Sequence, residues 1–154
     1  MKYRSLTTDE ISILQQNGCN CSDWSSVNVV EDFLPANIFR ANFSGDVKLG
    51  KFESEILING DTKSPCGIYN SFIHNSTIAD NVYIKDVQSL ANYKIENDVI
   101  IQNVDRLAVE GESTFGNGTE LDIVNEGGGR TLKIFDILSS NLAYIIVFYR
   151  HNKK

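Results

Sequence analysis

Histidine and cysteine are scarce: two histidines, His74 and His151, and three cysteines, Cys19, Cys21 and Cys66, occur in 154 residues. Structural zinc takes four nitrogen or sulfur ligands. Cys19-Asn20-Cys21 supplies two of them and has no second pair, so no metal and no cofactor is expected. Three cysteines without framework spacing exclude a disulfide-stapled scaffold and point to reduced thiols. An excess of positive charge is missing too. Fourteen Lys and Arg against 20 Asp and Glu leave a net charge of −6, which argues against nucleic acid, whose phosphates select a basic stripe. Long apolar runs are also lacking. The longest, Leu142 to Tyr149, is far below the roughly 20 residues that span a bilayer, and Met1-Lys2-Tyr3-Arg4-Ser5 carries no apolar signal segment. These absences predict a cytoplasmic protein with no membrane partner.

What is present is an ordinary globular composition, 42% hydrophobic and 22% charged, long enough for one domain with its own core. Thr7 followed by Glu10 forms a capping box, Ile11 and Leu14 share a helical face, and Asn17-Gly18 is a stop signal. Ser22-Asp23 before Trp24, and Pro35 before Ile38, start two further short turns. Residues 1–37 are therefore expected to form a helical cap.

From Ile38 the apolar residues recur at steps of five or six: Ile68, Ile73, Ile78, Ile84, Leu90, Ile95, Ile101 and Leu107. Polar triplets such as Ala79-Asp80-Asn81 and Glu96-Asn97-Asp98 lie between them. A shift of 17 residues lays Ile78, Val82, Ile84 and Val87 over Ile95, Val99, Ile101 and Val104. Three short steps sum to one long one, which predicts an all-β, single-stranded parallel β-helix over residues 38–135, with aliphatic columns inside and Asn, Asp and Gly at its corners. An antiparallel sandwich of short strands is the competing reading. Residues 136–154 are expected to form a C-terminal helix and a basic tail (Arg150, Lys153, Lys154), although the β-prone run 142–149 is also open to a strand reading.

Val47-Lys48-Leu49-Gly50, Ile78 to Ile84 and Phe115 to Leu121 resemble the repeats of left-handed β-helix, hexapeptide-repeat acyltransferases and sugar nucleotidyltransferases. Val82, Val99, Ser71 and Ser76 fit the family's small-residue slot, whereas Gln88, Tyr93 and Asp105 depart from it. The left-handed sense comes from this resemblance alone, because crossovers between parallel strands are normally right-handed. More closely, Tyr3 to Thr7, Ser22 to Ser25, Phe43-Ser44-Gly45, Asn125 to Gly128 and Ala143-Tyr144 resemble the N-terminal part of an uncharacterised bacterial family of unknown function whose members look much longer. That resemblance implies a fragment or truncated relative.

Candidate sites are few. The resemblance implies that a histidine could serve as general base, and His74 is the one in the repeat region; it directly follows an inward ladder residue, where a solvated corner side chain is the plain expectation, so no catalytic residue is assigned. Asn125, Glu126 and Arg130 flank three glycines and are the candidate binding residues, but no Gly-Lys-Ser/Thr follows, which excludes a P-loop. Glu110, Glu112, Glu120 and Asp122 are surface carboxylates in the plain reading. The apolar C-terminal run must be covered, and Tyr144 and Phe148 are the expected interface.

No constellation here fixes an activity. The expected role is a non-catalytic structural or assembly module of a larger transferase-like protein. The alternative is an acyl- or nucleotidyltransferase acting on a sugar or sugar nucleotide. Expected partners are further copies of the chain, in a homo-oligomer, or downstream coils of a longer chain. Carbohydrate binding along a flat side would need aromatics in register, and Tyr69, Tyr83 and Tyr93 are irregularly spaced.

Overall fold

The N-terminal signals act locally, and each one forms. The computed structural model describes residues 2–58, 60–111, 116–122 and 131–149. Strand β1 (Tyr3–Ser5) precedes helix α1 (Thr8–Gln16). The Thr7 hydroxyl accepts the Glu10 N–H at 3.3 Å and the Glu10 carboxylate accepts the Thr7 N–H at 2.8 Å, which completes the capping box. Gly18 at φ +77° closes the helix as Gly18 N donates to Gln15 O and Cys19 N to Leu14 O, both orphan carbonyls of the last turn. Short 3-10 turns follow at Trp24–Ser26, capped by Asp23, and at Pro35–Asn37.

The strands then distribute over sheets of mixed sense within the first of two compact units, Met1–Glu110. One sheet runs β1, β3 (Val27–Val30), β6 (Val47–Leu49), β11 (Thr77–Ile78), β13 (Lys94–Ile95), with β1 antiparallel to β3 and the rest parallel. The second runs β2 (Asn20–Cys21), β5 (Asn42–Ser44), β10 (Phe72–His74), β12 (Tyr83–Ala91), β9 (Gly67–Tyr69), β4 (Ile38–Phe39), and β14 (Ile100–Ala108) also pairs with β12. Between β6 and β9, β7 (Glu55–Ile58) and β8 (Thr62–Pro65) make an antiparallel ribbon.

Parallel register sets aliphatic on aliphatic. Val29, Leu49, Ile78 and Ile95 pair in sequence across the first sheet. Ile38, Ile68, Ile84 and Ile101 do so across the second, as do Phe43, Ile73, Leu90 and Leu107. Ile38, Leu49, Ile68, Ile73, Ile78, Ile84 and Leu90 are completely buried and form the core with Val27, Val29 and Val47. β-branched and aliphatic side chains suit the buried face of such strands, while the alternate positions stay half-buried or exposed. Gly67 marks where the backbones run closest: a Cβ there would sit 2.0 Å from the Asn37 carbonyl.

The expected single-stranded, left-handed hexapeptide β-helix over 38–135 is therefore corrected. The sheets mix parallel and antiparallel pairs, the β7–β8 ribbon interrupts the series, and the parallel ladder ends at Ala108. The 17-residue spacing is the pairing register between parallel strands, and a register does not dictate one uninterrupted coil. Residues 1–37 are more than a helical cap, because β1, β2 and β3 join the two large sheets. In the second unit, Gly111–Lys154, β15 (Glu120–Asp122) pairs antiparallel with β16 (Thr131–Lys133), and α2 (Ser140–Tyr149) packs Ala143 and Val147 with Leu132. This helix has ten residues, and no helix among the described residues is longer. The basic tail from Arg150 lies outside the described residues.

Arg4 ties β1 to this frame. Its guanidinium donates to both Glu10 oxygens, at 2.9 and 2.7 Å, and to the Glu31 carbonyl at 3.1 Å. That fork holds the Glu10 carboxyl at about 2, well below its ordinary 4.5. A carboxyl lowered by folding stabilises above its unfolded pKa and loses that contribution as pH falls through its folded pKa. Glu10→Gln is expected to lower unfolding free energy by about 1–2 kcal/mol at neutral pH. In denaturant titrations the gap between wild type and variant should shrink between pH 4.5 and about 2. A gap independent of pH would remove this role from Glu10.

Candidate functional site

His74 ends β10, paired with Ser44 on one side and Ala91 on the other, so its register neighbours are uncharged. Its ring stacks on Phe72, with centroids 6.5 Å apart and planes 5° from parallel. Its carbonyl accepts the Ser76 hydroxyl at 2.7 Å and the Asn92 N–H at 3.1 Å. A general base needs a partner to orient it and a cleft for the substrate. His74 has a ring contact and structural backbone bonds.

Asn125, Glu126, Arg130 and Glu112 lie outside the described residues. Glu110 pairs with Arg106, both largely exposed, beside a shallow depression of about 290 Å³. Glu120 sits on β15 in the second unit. Tyr144 is half exposed and its ring lies 4.4 Å from that of Phe148, so the two expected interface residues are neighbours on α2.

A second depression of about 260 Å³ is lined by Lys2, Val30, Glu31, Asp32, Lys51 and Asp80. Lys51 there bridges Asp32 at 2.9 Å and Glu53 at 3.5 Å, and the Asp32 contact raises the ammonium pKa. A lysine held charged by two carboxylates is a poor nucleophile or base. Among the described residues no group of three His, Cys, Asp or Glu side chains could hold a metal ion. Cys19 and Cys66 are buried, and loss of water pushes both thiols up, away from the reactive thiolate.

What the polar residues build instead is a set of ties between neighbouring turns and segments of the chain. Asn75 Oδ1 accepts the Asp46 N–H at 3.0 Å, Asp80 Oδ1 accepts Lys51 N–H at 2.9 Å, and Asn97 Oδ1 accepts Asp80 N–H at 3.1 Å. Asn81 Oδ1 accepts from both Glu53 and Ser54. The buried hydroxyls of Ser71 and Ser76 accept the Val87 and Tyr93 N–H groups at 3.1 Å. The small-residue slot in the sequence signalled Ser71 and Ser76 as space-fillers. Their role as acceptors 16 and 17 residues away has no local signature. The structure also sets Phe39 in register on Tyr69 with planes 7° apart, an aromatic pair that the spacing of the tyrosines does not signal.

Removing either serine hydroxyl strands a buried N–H. Ser71→Ala and Ser76→Ala are each expected to cost about 1–3 kcal/mol in chemical denaturation. Neutral behaviour of both would show that these hydroxyls fill space only.

Comparison with known proteins bears on family and not on chemistry. An uncharacterized protein of Treponema pallidum (strain Nichols) is 28% identical over 163 residues, covering 99% of this chain but 22% of that relative. The chain thus spans about a fifth of the length of the curated relative it matches. No solved structure matches. The expected place among hexapeptide-repeat acyl- or nucleotidyltransferases is corrected, because the family model that matches is one of unknown function and the sheets are mixed. That match runs from residue 3 to residue 154, and the chain belongs to the family described as Domain of unknown function (DUF4954).

Proposed function

We propose that this chain is a non-catalytic structural and assembly segment of a longer protein. The observation that carries the reading is the use of its polar side chains. Asn75, Asp80, Asn81, Asn97, Ser71 and Ser76, which punctuate the apolar ladder, each bind a backbone N–H of a neighbouring segment, most of them in the turns that join the strands. Side chains engaged in this way hold strands in register and are not available to bind a substrate. The greater length of the Treponema relative supports the same reading.

The assembly face that fits it lies on α2. Ala143 and Val147 are buried, while Tyr144, Ile145 and Tyr149 are about half exposed beside Phe148. Apolar aromatic faces of this kind are common in subunit contacts. No helix among the described residues is long and apolar enough to cross a membrane. Three cysteines without a disulfide favour a reducing compartment, and we place the protein in the cytoplasm.

A thermal-shift screen with acyl-CoA thioesters and nucleotide sugars tests the non-catalytic reading, since any ligand bound only by the folded state raises Tm. None is expected to do so. A saturable rise with a nucleotide sugar, accompanied by turnover, would replace this reading with a transferase acting on a sugar.

A further inference from the structure

The last strands of the ladder are less covered than the strands they copy. Ile78, Val82, Ile84, Val87 and Leu90 are fully buried. Ile95 and Ile101, their register partners on β13 and β14, are 7% and 9% exposed, and Val99, Val104 and Leu107 are only partly buried. Among the described residues β13 pairs only with β11 and β14 only with β12. Thr77, Ala79 and Tyr83 donate their N–H groups forward to Tyr93, Ile95 and Val99. The same register points the N–H groups of Lys94, Glu96 and Ile100 away from the sheets. An edge whose backbone groups have no strand partner among the described residues, with an apolar rim, is a template for another strand.

We infer that this edge binds the same edge of a second copy of the chain, about a two-fold axis passing Ile95 and Val104. The edge sequence is complementary to itself under that operation. Antiparallel self-pairing about Ile95 sets Lys94 against the partner's Glu96, and Glu96 against the partner's Lys94. About Val104 it sets Ile101 against the partner's Leu107, Gln102 against the partner's Arg106 and Asn103 against the partner's Asp105. Within these pairs apolar residues meet apolar residues and no like charges face each other; just outside β14 the same operation brings Asp98 toward the partner's Glu110, two like charges. A two-fold contact requires such self-complementarity of one patch. Lys94 and Glu96 already pair within the chain at 2.7 Å, and both are largely exposed, so their charges can turn to a partner without disturbing the core. The inference deepens the assembly reading, rests on it, and uses a surface other than α2.

Sedimentation velocity of the full chain over a wide concentration range tests it. The wild type is expected to form a reversible dimer. Lys94→Glu alone sets two pairs of like charges together and should weaken dimerisation by at least about tenfold, and so should Glu96→Lys alone. The double variant K94E/E96K restores opposite charges and should restore the dimer. A monomeric wild type, single variants that dimerise unchanged, or a double variant that stays monomeric would each overturn the inference. A dimer lost in Tyr144→Ser but indifferent to the swaps would overturn it in favour of α2 and leave the assembly reading standing.

Discussion

The structure depends on turning the chain sharply every five or six residues without losing register. Seven Asn or Asp residues, at positions 70, 75, 81, 86, 92, 98 and 103, hold positive φ between +43° and +60°. That conformation costs most L-residues roughly 1–2 kcal/mol, and Asn and Asp tolerate it best because their short side chains bond nearby backbone. Here those side chains do more than relieve local strain. Asn75 and Asn81 accept N–H groups 27 to 29 residues away, and Asn70 donates to Asp86 at 2.8 Å across 16. One residue therefore bends the chain and fixes it to a neighbouring turn. The aliphatic columns can then meet side by side, and burial of Ile38, Ile68 and Ile84 supplies the hydrophobic contribution.

This division of labour explains why no chemistry is conspicuous. A site needs polar groups left unsatisfied by the fold and aimed at a common point. The polar residues here are aimed at backbone, and the charged ones form solvated pairs such as Lys51–Asp32 and Lys48–Asp46. Exposed pairs of that kind contribute little stability. The apolar surface left over, on α2 and along β13–β14, suits contact with another polypeptide.

Local features were legible in the sequence because their causes are local. Thr7 with Glu10, Asp23 before Trp24, and Pro35 each fix a turn through atoms within four residues. The 17-residue spacing was legible as well, and it is realised as the registers Ile78↔Ile95 and Ile84↔Ile101. The step from that spacing to a single solenoid failed, because side-chain spacing says nothing about sheet connectivity. Antiparallel pairing of β1 with β3 is a long-range contact, accompanied by Arg4 reaching the Glu10 carboxylate and the Glu31 carbonyl, and the β7–β8 ribbon interrupts a series that looked continuous. His74 drew attention as the lone histidine of its region, whereas its stacking on Phe72 is a tertiary fact.

Native-state amide hydrogen exchange measures the ties between strands most directly. The N–H groups of Val87 and Tyr93, held by serine hydroxyls, and of Tyr83, held by the Val99 carbonyl, should be among the slowest to exchange. Those of the exposed β7–β8 ribbon should exchange orders of magnitude faster. Exchange of Val87 and Tyr93 as fast as that of the ribbon would show that side chains do not bind the strands together, contradicting the arrangement on which the fold and its proposed role rest.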